Sequence, residues 1–207
     1  MYNGNAKFRA IYLASKSPRR RDLLTQVKIP FTVLPFRGPP REDSELEEKP
    51  LTQENAADYA ARLARGKVLQ GLEIIALRKS DIRPVLGADT IIEYDGKIIG
   101  KPESVEHARQ ILHLLSGKTH RVITAVSIAL EARMESIVSI NEVQFCSLSE
   151  RDISDYVATG EPFDKAGAYG IQGQAARFIA RISGSYSGIM GLPLFETCAL
   201  LNQFPKE

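Results

Sequence analysis

The sequence predicts an α/β fold built on a mixed β-sheet. Three observations carry this. Apolar runs of strand length alternate with helix-period segments along the whole chain instead of segregating into halves. Asp95-Gly96 lies between two such runs and is a two-residue hairpin signal, so some strands pair antiparallel. The 207 residues suit one α/β domain, or two small lobes around a cleft.

Ala10 to Ala14 is the first strand. Ser17-Pro18 opens a helix, because Ser suits the N-cap and Pro the first helical position. Leu23, Leu24 and Val27 form its apolar face. Phe31 to Leu34 is the second strand. Residues 37–50, rich in proline and charge, form a loop holding the acidic run Glu45, Glu47 and Glu48. Thr52 to Leu69 is a helix with Ala56, Tyr59, Ala60, Leu63 and Ala64 at helical spacing. Gly71 ends it, and an extended connector runs from Leu72 to Pro84. Val85 to Tyr94 and Lys97 to Gly100 are the arms of the hairpin. Ser104 caps a helix with Val105, Ala108, Ile111, Leu112 and Leu115 on one face, stopped at Ser116-Gly117. Arg121 to Leu130 and Ser136 to Phe145 pair antiparallel across residues 131–135. Ser149 caps a helix through Val157, closed by Gly160. Residues 161–173 form a glycine-rich loop and Arg177 to Ile182 a strand. Ser183 to Gly191 is a second Gly/Ser loop, and Leu194 to Asn202 is the last helix.

Composition limits the function. The net charge is +2, whereas a dedicated nucleic-acid binder carries a larger basic excess. Any anion site is therefore local, and nucleic acid is not the expected partner. Cys146 and Cys198 fit no metal or disulfide pattern, which points to a reducing compartment. The polar opening residues lack the apolar run of a signal peptide. No stretch approaches the roughly 20 apolar residues of a membrane span. The expectation is a cytoplasmic protein with no membrane partner.

Sequences break their own structural rules at functional sites. Arg19 and Arg20 occupy the first turn of the first helix, at the positive end of its dipole, where each cation costs roughly 0.3–1 kcal/mol. An anion bound there reverses the sign, since free N–H groups and guanidinium forks converge on it. Asp89 stands in the middle of an apolar strand, where a carboxylate needs a partner, a metal or a raised pKa. Lys67 follows Leu63 by one turn on the apolar face of its helix, a position also open to a lysine that snorkels at a helix end. Lys101 precedes Pro102 and by itself is an ordinary loop lysine. Together these cations, the acidic run near Glu48 and the strand aspartate are the inventory of a Mg²⁺–triphosphate site.

Several motifs fail. Gly117-Lys118-Thr119 lacks the earlier glycine of a phosphate-binding loop, since Leu112 stands there. Gly167, Gly170 and Gly173 precede a strand and lack the dinucleotide spacing. Tyr186 holds the place where a nucleophile elbow needs serine. His107, His113 and His120 show no zinc spacing. Without a Ser–His or Cys–His pairing, direct attack by water is favoured over covalent catalysis.

Five collinear segments resemble the Maf family: Ala14-Ser15-Lys16-Ser17-Pro18-Arg19-Arg20, Leu86-Gly87-Ala88-Asp89-Thr90 with Gly100-Lys101-Pro102, Leu115 to His120, Asp164 to Gly173, and Gly191 to Thr197. The resemblance implies a twisted mixed sheet with flanking helices and two lobes around a central cleft, similar to the inosine triphosphate pyrophosphatases. It implies one such domain over residues 1–207, a homodimer, and hydrolysis of nucleoside triphosphates between the α- and β-phosphates with Mg²⁺, Mn²⁺ or Co²⁺. The form of the segment from Asp164 to Gly173 is similar to the branch that cleaves dTTP and UTP. By position, the resemblance makes Asp89 the proton acceptor or metal-associated carboxylate, Glu48 the metal-binding loop acid, and Lys67 and Lys101 the phosphate-site lysines. Ser15, Ser17 and Arg20 fall on the phosphate side, and Arg19, Thr90 and Gln172 at positions linked to base specificity. The loop before Glu48 is longer than the family pattern, so Glu45 or Asp43 is an alternative to it. The rival reading is a regulator of cell division that binds a nucleotide or DNA without turnover.

Overall fold

The computed structural model describes residues 8–35 and 49–204. Its strands are β1 (Ile11–Leu13), β2 (Phe31–Val33), β3 (Val85–Tyr94), β4 (Lys97–Ile99), β5 (Thr119–Leu130), β6 (Arg133–Phe145) and β7 (Ile179–Ser183). Its helices are α1 (Pro18–Gln26), α2 (Ala56–Arg78), α3 (Val105–Leu115), α4 (Glu150–Ala158), α5 (Tyr186–Met190) and α6 (Leu194–Leu201). Among the described residues the seven strands form one mixed sheet, in the order β2-β1-β3-β5-β6-β7, with β4 paired on β3. The predicted α/β class with flanking helices is the observed one.

Strand β1 runs parallel to β2 on one side and to β3 on the other. All other pairings are antiparallel. Side chains alternate between faces along a strand, and the two helices next to β1 take opposite faces. Helix α1 buries Leu23 and Leu24 with Leu13, Leu86 and Ala88. Helix α2 buries Val68, Ile74 and Ile75 with Tyr12, Ala14 and Val85. The carboxyl end of β1 is thus a topological switch point, the place where open α/β sheets bind ligands.

The pairing of β3 sharpens this location. One edge of β3 pairs with β5 from Val85 to Glu93. The other edge pairs with β1 only at Val85 and Leu86, and with β4 only from Ile92 to Tyr94. Residues 87–91 face no strand there among the described residues. After Ala14, whose N–H donates to the Leu86 carbonyl at 2.8 Å, the chain leaves the sheet and enters α1 beside this gap.

Several boundaries differ from the sequence reading: α2 starts at Ala56, β5 at Thr119 and β6 at Arg133, and three further differences change an element. Gly71 does not end α2, which continues to Arg78 and closes on Lys79 at φ 50°. Gly71 is instead a close-approach residue: a Cβ there would lie 2.7 Å from the Val85 side chain and 3.1 Å from that of Leu34. Most of the segment read as a connector, Leu72 to Pro84, is therefore helix, and Ile74 and Ile75 extend its buried face. The Gly/Ser segment from Ser183 to Gly191 holds the short helix α5, capped by the Ser185 hydroxyl accepting from the Gly188 N–H. Strand β7 starts at Ile179 because residues 174–178 form a 3-10 turn. The hairpin at Asp95-Gly96 is as read, with φ 52° and 74°, the positive pair that a type I′ turn requires.

His120, from the segment Leu115 to His120, proves to be a core residue. It is 2% exposed, bonds the Tyr169 hydroxyl through Nε2 at 2.7 Å, and meets Phe145 and Tyr169 edge-on. Burial holds its pKa down to about 4, against 6.5 for a free side chain. The unfolded chain then binds the extra proton first as pH falls, so stability rises with pH between these two values. We expect up to about 3 kcal/mol of stability to be lost as pH falls from 6.5 to 4. Urea unfolding across this window is the check, and the loss should shrink in His120→Gln.

Candidate active site

The site begins with a glycine. A Cβ on Gly87 would stand 2.7 Å from the Ala64 carbonyl oxygen and 2.9 Å from Val68. Its absence lets α2 lie directly on β3. Lys67, one turn beyond Leu63, then reaches the strand two residues later, and its Nζ donates to Asp89 Oδ1 at 2.5 Å. Asp89 is 9% exposed, within the unpaired stretch of β3. The carboxylate predicted to need a partner has a cation, and the lysine that snorkelling would also explain is directed at the site.

The next residue, Thr90, points to the opposite face and meets the first helix. Arg20 is 8% exposed and spends its guanidinium on three oxygens. Its Nε donates to the Gly191 carbonyl at 2.9 Å, Nη1 to Ser15 Oγ at 2.9 Å, and Nη2 to Thr90 Oγ1 at 3.3 Å. Ser15 Oγ also accepts from the Ser17 N–H at 3.2 Å. Ser17 occupies the N-cap of α1, yet its side chain takes none of the first-turn N–H groups. The first-turn donors of this helix are therefore not taken by the capping side chain, a condition that suits an anion.

Arg19 is half-buried and pairs with Asp164 at 3.8 Å, which ties α1 to the glycine-rich segment. Lys101 is exposed just past β4, next to Gly100, whose carbonyl accepts from the Gly167 N–H at 3.0 Å. Gln172 is exposed on the same glycine-rich segment. Ser15, Arg20 and Thr90 thus share hydrogen bonds, and Lys67 and Asp89 share an ion pair. The adjacent positions of Asp89 and Thr90 on β3 join the two groups. Lys101 and Gln172 are carried by segments that join each other and reach α1 through Asp164. Glu48, with its alternatives Glu45 and Asp43, lies outside the described residues.

Two residues were missed in the sequence. Thr124 stands directly across the sheet from Thr90 and shares a hydroxyl contact of 3.0 Å with it, while donating to the Gly188 carbonyl at 2.7 Å. The sequence carried no distinct signal, since a threonine inside an apolar strand run such as that of β5 is ordinary. Gly191, at φ 118°, presents its carbonyl to Arg20, and a Cβ there would crowd Thr90 at 3.4 Å.

The donor set suits one kind of metal binding. Among the described residues no three His, Cys, Asp or Glu side chains gather into a cage. Asp89 nevertheless places a buried carboxylate in the unpaired stretch of β3, next in the chain to Thr90, which Arg20 of α1 contacts. A hard divalent cation such as Mg²⁺ binds in that way, through one or two carboxylates with phosphate oxygens and water completing the shell.

Known proteins resemble this chain along nearly all of its length. The family model described as Maf-like protein matches residues 10–204. A dTTP/UTP pyrophosphatase of Aromatoleum aromaticum is 53% identical over 195 residues, covering 94% of this chain and 95% of that relative. One from Dechloromonas aromatica is 49% identical over 193 residues, covering 93% and 96%. One from Yersinia pestis is 48% identical over 195 residues, covering 94% and 93%. With the five motif segments in their expected order, and two of them converging on the gap in β3, the chain belongs to the Maf family.

Proposed function

We propose that this protein is a dTTP/UTP pyrophosphatase, hydrolysing a pyrimidine nucleoside triphosphate to the monophosphate and pyrophosphate. The observation that supports the reading is the pairing of Lys67 with Asp89 and the bond from Arg20 to the next residue, Thr90, in the unpaired stretch of β3, in a chain whose relatives bear that name. CTP and modified pyrimidine nucleotides are candidate further substrates.

The triphosphate lies along the first-turn N–H groups of α1, with Arg19, Arg20, Lys67 and Lys101 neutralising its oxygens and Ser15 and Ser17 contributing polar contacts. Asp89 orients a water toward the α-phosphorus and accepts its proton. The new bond forms from this water oxygen to phosphorus, and the bond to the bridging oxygen breaks. Pyrophosphate leaves with its charge met by the lysines. Lys67 Nζ, donating to Asp89 Oδ1 at 2.5 Å, holds the carboxylate in place for this role. A divalent ion held by Asp89 and Glu48 would add Lewis-acid polarisation of the phosphate. Arg19, Thr90 and Gln172 face the base, the amide of Gln172 being able to pair with a uracil or thymine edge.

This reading takes residues 1–207 as one domain with two lobes around the cleft, acting as a homodimer in the cytoplasm, in keeping with the family resemblance. No described helix is long and apolar enough to cross a membrane. The test is a phosphate-release assay coupled to inorganic pyrophosphatase, run over a panel of nucleoside triphosphates with Mg²⁺, Mn²⁺ or Co²⁺. Signal with dTTP and UTP well above GTP and ATP is expected. No signal with any triphosphate would leave the non-catalytic regulator as the better reading, and a purine preference would overturn the substrate class.

A further inference from the structure

Neither the residue roles implied by the family resemblance nor the catalytic reading uses Glu161, which begins the glycine-rich segment. Its carboxylate lies against backbone. Oε2 accepts from the Gln174 N–H at 2.9 Å and Oε1 from the Tyr156 hydroxyl at 3.0 Å, while its own carbonyl accepts from Lys165 Nζ at 2.7 Å. Gly173 makes this approach feasible, since a Cβ there would sit 2.0 Å from Glu161 Oε1. The Gly173 N–H closes back on the Gly170 carbonyl at 3.1 Å, leaving Gln172 on the exposed side of the turn so formed.

We infer that Glu161 is a positioning residue for base recognition, holding the turn of residues 170–174 so that Gln172 meets the nucleobase at a fixed angle. This rests on the pyrimidine-triphosphate reading above. Tyr156 makes the holding rigid. It is fully buried in α4 and packs edge-on to Phe178 at 5.3 Å, so the carboxylate is tied to the core and not to another loop. Burial, and then the neighbouring Glu161 charge, push the Tyr156 phenol up, so it stays a donor. The same short 3-10 turn, Glu161–Asp164, holds Arg19 through Asp164. One element therefore sets two side chains expected to read the base.

The test is the ratio of kcat/KM for dTTP to that for GTP. Glu161→Ala removes both carboxylate bonds, and the ratio should fall about tenfold or more, chiefly through a raised KM for dTTP, because misplacing a contact by about 1 Å can cost up to 100-fold. Glu161→Gln should stay near wild type, since its amide oxygen can accept from Gln174 N–H while its NH₂ donates to the Tyr156 hydroxyl. Tyr156→Phe removes one bond from the far end and should shift the ratio the same way by less, and it decides the matter if Glu161→Ala does not fold. An unchanged ratio in the folded variants, or an equal loss with dTTP and GTP, overturns the inference. If wild-type protein releases no pyrophosphate from dTTP, the catalytic reading itself has failed and is identified as the cause.

Discussion

Asp89→Asn is expected to lower pyrophosphate release from dTTP by about 10³-fold, within the range for removal of a positioned general base. The loss should appear in kcat with little change in KM, because the amide retains the shape of the carboxylate and still accepts from Lys67 Nζ, now 2.5 Å from Oδ1. The same retained bond predicts a stability change of only about 1 kcal/mol. Coupled phosphate release and thermal melting on one preparation separate the two effects. Turnover within a few-fold of wild type would remove Asp89 from the mechanism, since no other described carboxylate occupies the unpaired stretch of β3.

Arg20→Ala should fail in a different way. Here the side chain is both a phosphate-side cation and a structural tie among Ser15, Thr90 and Gly191, the last lying 171 positions from Arg20 along the chain. Its removal leaves the Gly191 carbonyl and two hydroxyl groups to find other partners. We expect a loss of about 2–4 kcal/mol in stability, together with at least about 100-fold in kcat/KM. Arg20→Lys should not rescue it, because one ammonium cannot span three oxygens arranged for a planar guanidinium. Urea unfolding and initial rates measured on both variants test this. A lysine variant with wild-type stability and activity would show that a point charge suffices.

The parts of the fold that were legible are those specified by local chemistry. Asp95-Gly96 dictates its turn through two positive φ values, and Ser104 and Ser149 cap their helices through bonds to N–H groups three residues on. Val85–Tyr94 was read to the residue, because its apolar run ends at a turn. Gly71 misled because the sequence shows only that a side chain is missing. Whether the glycine ends a helix or admits a neighbouring strand depends on Val85 and Leu34, which are distant in sequence. The same limit applies in the site. Asp89, Arg20 and Lys67 announce themselves by breaking local rules. Thr124 and Glu161 break none, and matter only because of what folding brings opposite them.

The unpaired stretch of β3 has one more consequence. Bare strand edges invite other chains to add on and seed aggregation. Among the described residues the open edge is five residues long, residues 87–91, roughly 17 Å of strand. It is stopped at one end by β1 and at the other by β4, and α1 begins beside it. A foreign polypeptide would have to enter sideways between two fixed neighbours, while a small molecule need only drop in. A short opening flanked in this way can admit a small molecule to main-chain polar groups while resisting edge-to-edge pairing with another chain.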